Sequence, residues 1–225
     1  HLQKRLPAHL AMVPEADPLA ARDLKRGAAI PEEIVSRWPS AAEAPASLPI
    51  DHAVAPVAGM RGGERAAGAA LAAFVASKLR RYGEDRNGSD KDATSELSPY
   101  LHFGHLGVHE IVSALQEPER WDGLPRGLTS GGKRTGFWGL SSGAEAFLEE
   151  LVTFRELAFN TAATMPHFDR YESLPSWART TLEAHAKDPR EHCYTLRQFE
   201  AAETADPVWN AAQTQLLREG RIQNY

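Results

Sequence analysis

The chain has 225 residues, enough for one large domain or two small ones. Its 42% hydrophobic and 24% charged residues match a globular chain with a sizeable core and exclude disorder of the whole. The charge sum, 25 basic against 30 acidic residues, gives −5 and argues against a DNA binder driven by non-specific electrostatics, though a basic patch on one face is compatible with it. The longest apolar run, residues 66–76, is about half the length of a membrane helix, so no membrane partner is expected. A single cysteine, Cys193, excludes an internal disulfide, a Cys-rich zinc site and a cysteine-held iron–sulfur cluster. A reducing, cytoplasmic setting is expected. Alanine, the best helix former, is the commonest residue.

Residues 1–63 carry Pro7, Pro14, Pro18, Pro31, Pro39, Pro45, Pro49 and Pro56, too many for long helices. Short helices fit at 19–26 and 31–38, and the segment reads as a wrapping or connecting piece. From Glu64 the pattern changes. Ala67, Leu71, Phe74, Val75, Leu79 and Tyr82 predict one amphipathic helix over 64–82. A polar loop with Asn87-Gly88 follows, and then Val108, Ile111, Val112 and Leu115 mark a second helix. The glycine-rich stretch 117–140 reads as a long surface loop.

Ser142 with Glu145 has the spacing of a capping box. The helix it opens carries Phe147, Leu148, Leu151, Val152, Arg155 and Ala158, and Pro166 ends it at the latest. Trp177, Leu182 and His185 mark a shorter helix stopped by Pro189. Thr195 with Gln198 is a second capping box. Asp206 before Pro207 places an N-cap ahead of a proline at the first helical position, and Gly220 suits the C-cap. At least six helices without a convincing strand predict an all-α fold.

Several motifs have a functional and a plain reading. Residues 127–133 have P-loop spacing, but Arg134 stands where Ser or Thr must hold magnesium, so a flexible glycine loop is the better reading. His102, His105 and His109 are spaced for a shared helix face, yet Pro99 and Gly104 break that geometry, and partly buried polar groups are expected rather than a metal site. Glu150 falls on the inward side of an apolar helix, where a charge must be paired or neutralised. It either pairs with Arg155 or stands in a ligand cavity. Trp209, in the first turn of the last helix, is core or functional.

Taken together, the residues resemble a family. Thr94-Ser95-Glu96-Leu97-Ser98-Pro99-Tyr100-Leu101-His102-Phe103-Gly104 resembles the flavin-phosphate loop of the photolyase/cryptochrome family. Tyr82 and Arg86-Asn87 fall where that family has its tyrosine and Arg-Asn pair. Residues 147–157, from Phe147 through Glu150 to Arg155 and Leu157, are similar to the helix lining its flavin and substrate cavity. Residues 171–179, with Tyr171 and Trp177, and 206–213, with Asp206, Trp209, Asn210 and Gln213, resemble the class II branch of cyclobutane-dimer photolyases. The four ordered blocks cover about residues 50–225.

The resemblance implies a helical FAD-binding domain over 51–225, a connection over 1–50 from an N-terminal α/β antenna domain that the sequence lacks, and a monomer acting on damaged DNA. It implies that FAD is held by Tyr82, Thr94, Ser95, Leu97, Ser98, Phe147 and Arg155. Short hydroxyls suit a pyrophosphate, and a fixed cation beside the flavin favours its anionic reduced form. Glu150 would touch the pyrimidine dimer, preferably protonated. Asn210 would lie near flavin and dimer, and Trp209 would begin the electron chain that re-reduces the flavin. Excited reduced FAD would pass an electron to a flipped-out thymine dimer, the ring would split, and the electron would return. A cryptochrome-like photoreceptor and a helical module without flavin are the alternatives. Phe154 and Glu96 depart from relatives, which carry a basic residue at the first position and often a neutral or basic one at the second. Relatives also continue past the position of Tyr225. Lys78, Arg80, Arg81, Lys133 and Arg134 are candidates for a DNA-binding face or solvated surface charge.

Overall fold

The computed structural model describes residues 2–10, 31–37, 48–53, 55–88, 90–127 and 136–222. Among them all regular structure is helical: α1 (Leu2–Leu10), α2 (Glu32–Arg37), α3 (Glu64–Ser77), α4 (Tyr82–Asp85), α5 (Ser98–His102), α6 (Val108–Ala114), α7 (Ser142–Leu148), α8 (Arg155–Thr164), α9 (Ser176–Ala184), α10 (Leu196–Glu200) and α11 (Pro207–Glu219). Short 3-10 turns stand at Leu79–Arg81 and Tyr171–Ser173, and a π-helical turn, Glu149–Phe154, joins α7 to α8. The described residues fall into two compact units. One takes α1 and the residues within 61–189, the other α2 and the residues within 15–60 and 190–224. The expected helix at 19–26 lies outside the described residues, and that at 31–38 is α2.

In the first unit the core is built from α3, α4, α6 and α7, with Phe74, Leu79, Ile111, Leu115, Phe147 and Leu148 almost fully buried. α1 joins this core through Leu6, despite the Pro7 inside it. Its end is tied down by His109, whose Nε2 meets the His9 carbonyl at 2.9 Å.

The helix expected over 64–82 is interrupted. α3 stops at Ser77, whose hydroxyl turns back to the Ala73 carbonyl at 2.7 Å, a bond that competes with helix continuation. The chain tightens into a 3-10 turn and restarts as α4. Leu79 and Tyr82 remain buried across the break, which is why the hydrophobic period runs through it.

The described residues of this stretch, 117–127 and 136–140, do not form the surface loop expected of them. Trp121, Phe137 and Trp138 are core residues, and the described part closes on itself through Gly127 N–H to the Phe137 carbonyl, 2.8 Å. Burying three aromatic rings outweighs the glycine-rich composition.

The cap of α7 is Ser141, one residue earlier than expected, with its hydroxyl accepting from Ala144 N. Glu119 decides between the adjacent serines by accepting both the Ser141 amide (2.9 Å) and hydroxyl (2.6 Å). Glu145 accepts instead from the amides of Gly139 and Leu140.

Burial along this long helix ends at Val152, and α8 has no buried residue. The π turn shifts the helical phase, so Arg155 and Ala158 leave the inward stripe that the spacing assigned them. Met165 is extended before Pro166 and closes α8.

The second unit follows its local signals closely. Thr195 and Gln198 cap α10 reciprocally, Thr195 Oγ1 accepting from Gln198 N and Gln198 Oε1 from Thr195 N. Asp206 Oδ1 accepts from Val208 N (2.8 Å) and Trp209 N (3.1 Å), and Gly220 ends α11 in the left-handed conformation at φ 67°. Asp206→Ala is expected to cost about 1 kcal/mol of stability. A urea midpoint unchanged by this substitution would contradict the cap.

Candidate functional site

The first unit gathers four of the residues that the resemblance marks. α4 begins with Tyr82 and packs on α7, which carries Phe147. Tyr82 and Phe147 meet edge-on, with centroids 5.3 Å apart, and Phe74 completes a trio at 5.6 Å and 4.7 Å. Arg86, one turn beyond Tyr82, lies over the tyrosine ring with Cζ 5.6 Å from its centroid. Its Nη1 donates to the Gly83 carbonyl (3.3 Å), and its Nη2 reaches Glu150 Oε1 at 3.5 Å.

Glu150 therefore pairs with Arg86 and not with Arg155, against the plain reading of its spacing. It sits in the π turn with its side chain 42% exposed. Arg155 donates to Glu156 Oε1 at 3.0 Å and lies over Phe159, with Cζ 4.8 Å from that ring's centroid. The neighbouring Glu149 accepts from Thr153 Oγ1 at 3.2 Å.

Burial pushes the Tyr82 phenol above its ordinary 10.0, the Glu150 charge raises it further, and Arg86 pulls it down. The native chain then holds a proton that the unfolded chain loses above pH 10.0. Stability from this group is fully present below that pH and falls as pH rises through the native value. Tyr82→Phe is expected to flatten that fall. Equal losses in both proteins between pH 9 and about pH 11 would contradict it.

The hydroxyl-rich loop is anchored by Leu97, which is buried in the same core as Tyr82 and Phe147. Thr94 and Ser95 are half-buried and Ser98 is exposed at the start of α5. Ser95 Oγ accepts from Leu97 N at 3.4 Å. Glu96 takes a left-handed φ of 56°, uncommon outside glycine, at the bend of this loop.

In the second unit, Trp209 stacks edge-on against Phe199 at 5.2 Å and donates its indole N–H to the Phe199 carbonyl at 3.3 Å. Phe199 in turn meets Tyr194 at 5.4 Å. The Asn210 side-chain amide is taken up by Thr204. Its Oδ1 accepts from Thr204 N and Oγ1, and its Nδ2 donates to the Thr204 carbonyl at 2.7 Å.

Other motifs resolve into structural roles or lie outside the described residues. His105 Nδ1 accepts from Gly63 N at 3.2 Å, His109 holds α1, and His102 packs on Phe103. Most of the P-loop-like stretch, with Lys133 and Arg134, lies outside the described residues. Among the basic candidates, Lys78 pairs with Asp92 and Arg81 with Asp85, while Arg80 is exposed. Sequence reasoning placed Arg86 in a motif without giving it a partner. Its i,i+4 spacing from Tyr82 was the available signal.

No protein-family model matches the chain. It is similar to the deoxyribodipyrimidine photo-lyase of Potorous tridactylus, 36% identical over 180 residues, which is 80% of this chain and 30% of the relative. It is 38% identical over 153 residues to the enzyme of that name from Oryza sativa subsp. japonica, covering 68% of this chain and 27% of the relative. With that from Methanothermobacter thermautotrophicus it shares 34% over 165 residues, 73% of this chain and 32% of the relative. The chain thus spans about 30% of the length of these relatives. With 34–38% identity across 68–80% of its own residues and an all-helical fold, the chain belongs to the deoxyribodipyrimidine photo-lyase family.

Proposed function

We propose that residues 51–225 form part of the helical FAD-binding domain of a class II-like photolyase, with residues 1–50 as a connection. Its function is light-driven repair of cyclobutane pyrimidine dimers in DNA, carried out by a monomer. The observation that carries this reading is the meeting of Tyr82, Arg86, Phe147 and Glu150 at one place, on a core shared with Leu97 of the hydroxyl-rich loop.

The donor chemistry fits FAD. Thr94, Ser95 and Ser98 offer three hydroxyls within five residues to anionic phosphates, and Arg155 is a half-buried cation. Tyr82 and Phe147 form an aromatic wall, and Leu97 pins the loop. When bound and reduced, FAD supplies on illumination the electron that opens the dimer.

Glu150 is the group that touches the dimer. A pyrimidine imide presents both a carbonyl and an N–H, so a half-exposed carboxyl has a partner in either protonation state. Trp209 serves as the first electron relay, held by its bond to the Phe199 carbonyl. Asn210 fixes the turn before α11 through Thr204, which sets where Trp209 and the asparagine itself stand.

The near-ultraviolet and blue absorption of the purified chain, followed by release of its chromophore, tests the cofactor assignment. Stoichiometric FAD is expected. A folded chain that takes up no added FAD contradicts it.

A further inference from the structure

We infer that Arg86 is a positioning residue of this site, its guanidinium holding the Glu150 carboxylate and the Tyr82 ring in one fixed arrangement. The inference rests on the substrate contact proposed above for Glu150.

Arg86 ends α4 as its C-cap residue, and three attachments fix it. Nη1 binds the Gly83 carbonyl of its own turn, Nη2 binds Glu150 from 64 positions away in sequence, and the guanidinium lies over Tyr82. A planar fork makes two directed hydrogen bonds while its face covers a ring, whereas a lysine ammonium is a point charge on a flexible stem. Arg86 is also less open than its partner, with 27% of its side chain exposed against 42% for Glu150.

That geometry answers a problem posed by the π turn. A glutamate there projects from the helix with several free torsions, and a binding group ordered beforehand avoids losing that freedom when substrate arrives. Glu149 is held within its own helix by Thr153. Glu150 is held by a different element, so its direction depends on how α4 sits against α7. Tyr82 reports on the arrangement because the two charges act on its phenol in opposite senses.

The test combines turnover on a thymine-dimer oligonucleotide with ultraviolet titration of Tyr82 in Arg86→Gln, Arg86→Lys, Glu150→Gln and the double variant Arg86→Gln/Glu150→Gln. Melting followed by circular dichroism confirms the fold of each. Arg86→Gln is expected to lower kcat by roughly ten- to a hundredfold, with a smaller change in KM, as misplacement of a contact group does. Added to Glu150→Gln, it should cost nothing further. The Tyr82 titration should move to higher pH in Arg86→Gln and to lower pH in Glu150→Gln. Arg86→Lys, which keeps the charge and is the milder change, should lose turnover while Tyr82 titrates close to its original pH.

Losses in Arg86→Gln and Glu150→Gln that simply add would place Arg86 outside the path through Glu150 and overturn the inference, as would full turnover in Arg86→Lys. An unmoved Tyr82 titration in Arg86→Gln would overturn the geometry itself. A parent chain that binds FAD and shows no repair would remove the proposed function instead. The titration needs no activity and would then decide by itself whether the three side chains are coupled.

Discussion

Gly143→Ala is expected to destabilise the chain by about 2 kcal/mol or more, although alanine is the better helix former by about 1 kcal/mol. Gly143 lies in the first turn of α7, where the helix rests on the 3-10 turn before Tyr82. A Cβ added there would sit far inside van der Waals contact with the Leu79 carbonyl oxygen and 2.9 Å from that of Arg80. Both are backbone atoms, so no side chain can rotate away, and the two segments must separate. That separation would also draw Phe147 away from Tyr82. Gly68, in the middle of α3, is the contrast, because nothing lies within 4 Å of its added Cβ. Gly68→Ala should therefore raise stability by up to about 1 kcal/mol. Urea melts of both variants decide it, and similar midpoints would mean that the close approach of α7 is wrong.

Glu150→Ala is expected to lower dimer repair by roughly ten- to a hundredfold while FAD binding is retained. A hydrogen bond from a charged group contributes about 1.5–3 kcal/mol, and about 1.4 kcal/mol is tenfold in rate. FAD should stay because the residues assigned to it, Tyr82, Leu97 and Phe147 among them, are packed in the core independently of that carboxylate. The substitution also leaves Arg86 without its carboxylate, and with that negative charge gone the Tyr82 phenol should titrate at lower pH. Unchanged repair would remove Glu150 from the dimer contact. Loss of FAD together with repair would make its role structural.

What could be read from the sequence was what local bonding decides. Thr195 with Gln198, Asp206 before Pro207, and Gly220 satisfy nearby backbone groups, so their spacing alone gave α10 its start and α11 both its ends. The break after Ser77 was hidden because Leu79 and Tyr82 keep facing the core on both sides of it. Between Ser141 and Ser142 the local pattern is ambiguous, and a distant carboxylate, Glu119, makes the choice. Glycine content masked the burial of Trp121, Phe137 and Trp138, although three large aromatics in a supposed surface loop were a signal against it. At the site, Tyr82 and Arg86 were within reach of helical spacing, but the Arg86–Glu150 pair joins elements 64 residues apart and follows only from how α4 meets α7.

Whether this chain repairs DNA is read from the light-dependent loss of cyclobutane dimers from a thymine-dimer oligonucleotide mixed with the chain loaded with FAD and reduced. Restored thymines are expected in blue light and none in the dark. A chain that holds reduced FAD and binds the oligonucleotide, yet leaves every dimer intact under illumination, would contradict it.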